Sequence, residues 1–151
     1  DIMQIIVDAE GRVFFEMDGQ PIKKELISKI NDDQKLGLTE AQMNKFAIGP
    51  AIGVPFNELS SYLNLPLGDE KTFKSPGIPT DTTLTDSNQL FKWVAYGRIV
   101  NPKARIVIKG DQDASYPNIN KVISTLANDK IKGYKFNLVT SLEASTKKKE
   151  E

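Results

Sequence analysis

Residues 104–140 constrain the fold of this chain more than any other stretch. Arg105-Ile106-Val107-Ile108-Lys109 is a short β-branched run that stops at Gly110-Asp111. Pro117 then opens a segment in which Ile119, Val122, Ile123, Leu126 and Ala127 recur at the i, i+3, i+4, i+7, i+8 spacing of a helix with one face on a core. Gly133 supplies a positive-φ stop after that helix. Tyr134 to Thr140 then alternates with the two-residue period of a strand. A helix joining two adjacent strands predicts parallel pairing and a right-handed crossover.

The N-terminal end reads as β-β-α. Met3, Ile5 and Val7 alternate against Gln4, Ile6 and Asp8, and Arg12 to Met17 is a second β-rich run. The intervening Asp8-Ala9-Glu10-Gly11 has turn chemistry, which predicts a hairpin. Asp18-Gly19 forms the next tight turn, and Pro21 suits the first turn of a helix. Ile22, Leu26, Ile27 and Ile30 follow at helical spacing, with Lys and Glu expected on the solvent side.

Between these ends, from Gln34 to about Gly97, prolines and glycines crowd the chain. Three short helices remain legible. Thr39-Glu40-Ala41-Gln42 is a capping box ahead of Met43 and Phe46. Pro55 starts a second helix with Phe56, Leu59 and Leu63 on one face, and Pro66 stops it. Asp86-Ser87-Asn88-Gln89 caps a third, bearing Leu90, Phe91, Trp93, Val94 and Tyr96. Structureless loops beyond about 12–15 residues are uncommon in compact domains. The block is therefore expected to be an ordered helical insertion with its own apolar cluster, loop-like only from Lys71 to Thr85. Lys147 to Glu151 is a solvated charge run.

Composition narrows the function classes. The 151 residues suit one ordinary domain. Twenty basic and twenty acidic side chains cancel, whereas a nucleic-acid binder normally carries a basic excess to replace counterions. Histidine and cysteine are both absent, which excludes Cys/His zinc sites, a Ser-His-Asp triad and a thiol nucleophile. A lack of cysteine fits an oxidising compartment. No apolar run reaches the roughly 18–20 residues of a membrane span. The chain begins at Asp1 and enters a strand almost at once, as an excised or processed fragment would.

Each chemical candidate competes with a plainer role. Asp111-Gln112-Asp113 opens like a calcium loop, but the required Gly and the bidentate Glu are replaced by Tyr116 and Val122. A strand-to-helix loop with Ser115 or Asp113 as N-cap is expected instead. Gly49-Pro50-Ala51-Ile52-Gly53 lacks the Lys-Ser/Thr of a phosphate loop and reads as a bend between helices. Asp8 and Glu10 sit in a turn, where acidic residues are ordinary. Trp93, Phe91 and Tyr96 are either core or a ligand-stacking wall. No catalytic, cofactor-binding or metal-binding residue is assigned, so no cofactor and no enzymatic activity are expected.

Ile106 to Asp111, Tyr116, the helix with Val122, Ile123 and Leu126, Gly133-Tyr134, and Phe136-Asn137-Leu138-Val139-Thr140 together resemble the periplasmic domain of the ExbD/TolR family. Lys109, Gly110, Asp111, Tyr116, Leu138 and Val139 occupy the positions of the family's pattern, and the Gly11 and Asp18-Gly19 turns match its first half. The resemblance covers residues 3–33 and 98–143. It departs at the insertion, which resembles that of long members, including Gly77–Asp81 and the helix Leu90–Tyr96.

The resemblance implies an α+β domain in which a small mixed sheet holds the hairpin and the two later strands. The Pro21 and Pro117 helices would pack on one face and the insertion would extend from one end. The expected division is a single periplasmic domain over residues 1–143, with core 1–33 and 98–143, insertion 34–97 and charged tail 144–151. The implied parent is a single-pass inner-membrane protein of a Gram-negative cell. It would be a homodimeric motor subunit driven by the proton-motive force, with an ExbB/TolQ-like channel subunit and a TonB/TolA-like protein as partners. The family's proton-carrying aspartate lies on a transmembrane helix that this chain lacks. Partner contact is expected at a sheet edge through Tyr134, Phe136, Leu138 and Val139, with Tyr116 nearby. Proline at Asn137 is the expected way to remove a donor from that edge. A periplasmic module for cell-wall glycan, using the insertion's aromatics, is the alternative.

Overall fold

The computed structural model describes residues 1–66, 68–81, 88–127 and 136–140. Gly133, Tyr134, Asp86 and the charged tail lie outside the described residues. β1 (Ile2–Val7) and β2 (Val13–Met17) form the expected antiparallel hairpin. β3 (Arg105–Gly110) pairs with β1 in parallel, and β4 (Phe136–Thr140) pairs with β3 in parallel. The result is one mixed four-stranded sheet of order β2-β1-β3-β4, and the chain is an α+β protein.

The sheet is built one-sided. Met3, Ile5 and Val7 of β1 lie in register with Met17, Phe15 and Val13 of β2 and with Ile106, Ile108 and Gly110 of β3. All nine positions are buried. Because strand residues alternate between faces, one face collects this apolar row, while Gln4, Glu16, Arg105 and Lys109 fall on the other.

Helices α1 (Gln20–Gln34), α2 (Glu40–Ile48), α3 (Leu59–Leu63), α4 (Gln89–Val100) and α5 (Tyr116–Leu126) complete the described part. Pro21 lies in the first turn of α1, and Leu26, Ile27 and Ile30 are fully buried. Ser115 caps α5 by accepting from the Asn118 N–H, which settles the choice between Ser115 and Asp113. Leu126 and Val122 are fully buried, while Ile123 is only half-buried. Asn88 caps α4 by accepting from the Phe91 N–H.

The insertion departs from expectation in two ways. It has no apolar cluster of its own, since Phe46, Ile52, Val54, Phe56, Leu59, Leu63, Trp93 and Val94 belong to one core with the sheet residues. Nor does it simply extend from one end. Helix α4 touches both α1 and α5 and contacts β2, so three helices, not two, cover the sheet. Gly97 permits this approach. It lies inside α4, and a Cβ there would sit 2.9 Å from Met3 Cε. The segment's own turns hid this role, because its proline spacing resembles that of an appendage.

Candidate functional site

The two edges of the sheet carry different chemistry. On the outer side of β2, the Phe15 N–H donates to the Ile52 carbonyl and the Ile52 N–H returns to the Phe15 carbonyl, both at 2.8 Å. The Ile78 N–H donates to the Val13 carbonyl at 2.8 Å, and the Gly77 N–H to the Gly53 carbonyl at 2.7 Å. The expected bend at 49–53 and the loop around Gly77 are therefore the cover of a strand edge. Trp93 fastens this cover from beneath. It is fully buried and stacks on Phe15 and Phe46 at centroid distances of 5.3 and 5.6 Å, with Phe56 tilted against it at 5.6 Å.

Lys23 adds an ionic fastening that the sequence did not reveal. Its helix face was expected to meet solvent, yet the residue is buried. Nζ lies 2.8 Å from Glu16 Oε1, donates to the Gly49 carbonyl at 2.9 Å and rests 5.6 Å above the Phe46 ring. A buried ammonium needs such partners to offset its desolvation. Gln42 serves the same block: it closes the capping box with Thr39, and its amide donates to Ser60 and Asn64.

The opposite edge is β4, and among the described residues no strand pairs with its outer side. Phe136, Leu138 and Val139 lie in this strand, in register with Ile106, Ile108 and Lys109. The alternation of the ladder decides which amides face out. Arg105 donates to the Asp1 carbonyl and Asp111 to the Val7 carbonyl, so the odd-numbered positions of β3 turn toward β1. The even positions, Ile106, Ile108 and Gly110, are left to serve β4. With Ile106 opposite Phe136, the N–H groups of Asn137 and Val139 turn inward, and those of Phe136, Leu138 and Thr140 turn outward. Asn137 is thus the wrong place to disarm the edge; proline there would break the ladder with β3.

Tyr116 is separate from that row. It stands in the first turn of α5, 74% exposed, beyond the Gly110 end of β3. It lines a cleft of about 250 Å³ with Gly110, Asp111, Gln112, Ala114, Ile119 and Ile123. Gly110 lets Ile119 lie close to the strand, since a Cβ there would meet Ile119 Cδ1 at 2.7 Å and push that side chain aside. A smaller cleft of about 100 Å³ lies between Ile48, Gly49, Pro50, Tyr62 and Glu70. Burial, and then the charge of Glu70, raise the Tyr62 phenol above its ordinary pKa.

The remaining chemical candidates resolve into local structure. Asp8 Oδ1 accepts from the Glu10 and Arg12 N–H groups, and Oδ2 takes the Arg12 guanidinium at 2.6 Å, which raises the Arg12 pKa. Asp111 Oδ1 accepts from the Asp113 N–H at 2.8 Å, and its carbonyl accepts from Ala114. Among the described residues no group of three acidic side chains could hold a metal ion, and no helix is long and apolar enough to cross a membrane. Compared with protein-family models, with curated proteins and with solved structures, the chain matches none.

Proposed function

We propose that this chain is the periplasmic domain of an ExbD/TolR-like subunit of a proton-motive-force-driven inner-membrane motor. In this reading it is a non-enzymatic domain that works by pairing strands, with a second copy and with a TonB/TolA-like protein, and so helps to energise transport across the outer membrane. An ExbB/TolQ-like channel subunit would be engaged through a transmembrane helix outside this chain. The supporting observation is the unequal treatment of the two sheet edges. One is capped by hydrogen bonds at Phe15 and Val13, and the other presents the outward amides of Phe136, Leu138 and Thr140. An extended partner strand draws affinity from such main-chain groups.

The glycan-binding alternative loses its main support. Trp93 is fully buried and enclosed by Phe15, Phe46 and Phe56, so it offers no platform for a sugar.

Two experiments test the reading. The coding sequence ahead of Asp1 should specify about twenty apolar residues containing one acidic side chain; its absence would remove the motor reading. On the protein itself, Thr140→Pro deletes an outward donor while sparing the inward amides of Asn137 and Val139. It should abolish self-association in sedimentation equilibrium, while Thr140→Ala retains it and circular dichroism shows both folded. Equal association of the two variants would place the contact elsewhere.

A further inference from the structure

The cleft beside Tyr116 has no part in the edge just described. We infer that it is a docking pocket for one aromatic side chain of a partner peptide, in a segment that carries Lys or Arg beside the aromatic residue. This goes beyond the motor reading, since the lining residues lie on β3, α5 and the loop between them.

Size comes first. A cleft of about 250 Å³ falls below the roughly 300–1,000 Å³ of pockets that take whole small molecules or cofactors. It exceeds the ~150 Å³ that suffices for benzene in an apolar cavity. A single aromatic side chain fits between these limits.

The wall chemistry agrees. Ile119 and Ile123, one helical turn apart on α5, are half-buried and face Gly110 and Ala114 across the cleft. Tyr116 stands exposed at the rim, where its ring can pack against another. A ring laid against these walls would leave water together with them, which favours its binding.

Charge then selects the neighbour. Asp111 is the one ionised side chain in the lining. Among the described residues the nearby lysines point away: Lys109 alternates to the opposite face of the sheet from Gly110, and Lys121 lies about 200° around α5 from both Ile119 and Ile123. Both are exposed. Among the described residues, a cation next to the bound ring would therefore meet Asp111 without a competing basic group in the lining, and an anion would be repelled.

The test uses the intact chain and two capped dipeptides, N-acetyl-Trp-Arg-amide and N-acetyl-Trp-Glu-amide, titrated against the amide signals of Ala114, Ile119 and Ile123 by nuclear magnetic resonance. The Arg peptide should shift these signals saturably, and the Glu peptide should bind several-fold more weakly. Asp111→Asn should erase that difference, and Ala114→Leu, which fills the cleft, should erase the saturable shifts. Absence of saturable shifts with the Arg peptide, equal binding of the two peptides, or shifts that persist in Ala114→Leu would each overturn the assignment.

Discussion

The outer sides of β2 and β4 bound the same sheet and have opposite fates. Along β2, residues more than thirty positions away return to hydrogen-bond Phe15 and Val13, with Trp93 and Lys23 locking the returning segments in place. Along β4, among the described residues, nothing returns. An uncovered strand edge is a hazard that proteins usually blunt, and some sixty residues are spent on blunting one edge, while among the described residues nothing covers the other. The sealed edge supplies stability, and in the proposed reading the other is left for a partner.

The largest expected effect attacks the seal. Trp93→Ala should cost about 3–5 kcal/mol, the usual range for a fully buried large aromatic, read as the loss of denaturation midpoint. A smaller loss than that of a half-buried position such as Ile123→Ala would show that the aromatic stack does not hold the insertion down. On the β4 side of the helical layer, Leu126→Ala should cost roughly 2–5 kcal/mol. A midpoint equal to the parent's would show that α5 does not pack as described.

Lys23→Met keeps the stem of the side chain but leaves Glu16 and the Gly49 carbonyl without their cation. Both partners are only half-buried and regain water, so the loss is that of an ordinary hydrogen bond, about 1 kcal/mol. Amide exchange should accelerate at Ile52 and Phe15 before it does at β3; uniform acceleration would break the link between Lys23 and the seal.

The smallest effect is alkaline. Burial and Glu70 raise the Tyr62 phenol above its ordinary value of 10.0, so the unfolded chain ionises there first. The stability this residue contributes is full below pH 10 and is lost as pH rises through the raised folded value. Tyr62→Phe should therefore flatten the decline of the urea midpoint above pH 10, and identical slopes in parent and variant would contradict this.

Local signals carried the elements well. The Thr39–Gln42 box, Pro21 at the start of α1 and the parallel β3-α5-β4 unit all depend on residues close in sequence. What stayed illegible depends on pairs far apart. Gly97 looked like one more glycine of the proline- and glycine-rich stretch, and only Met3 and Phe15, beneath it, give it a reason to lie inside α4. Lys23 looked solvated because its partners, Glu16 and Gly49, come from other elements. At the candidate edge, Phe136, Leu138 and Val139 were legible as a strand. Which of their amides face outward required the register with β3. The cleft at Ile119 and Ile123 left a trace, since the two sit one turn apart beyond a strand-ending glycine, but that spacing serves a core face equally well.

The comparison of edges is tested most directly by residue-resolved amide hydrogen exchange across a range of protein concentrations. The Phe15 amide, bonded to Ile52 at 2.8 Å, should exchange slowly at every concentration. The Leu138 and Thr140 amides should exchange rapidly in dilute protein and slow down as the chains associate. If Leu138 is as protected as Phe15 at the lowest concentration and stays so throughout, the outer side of β4 is already covered within one chain, and the edge is not the partner surface.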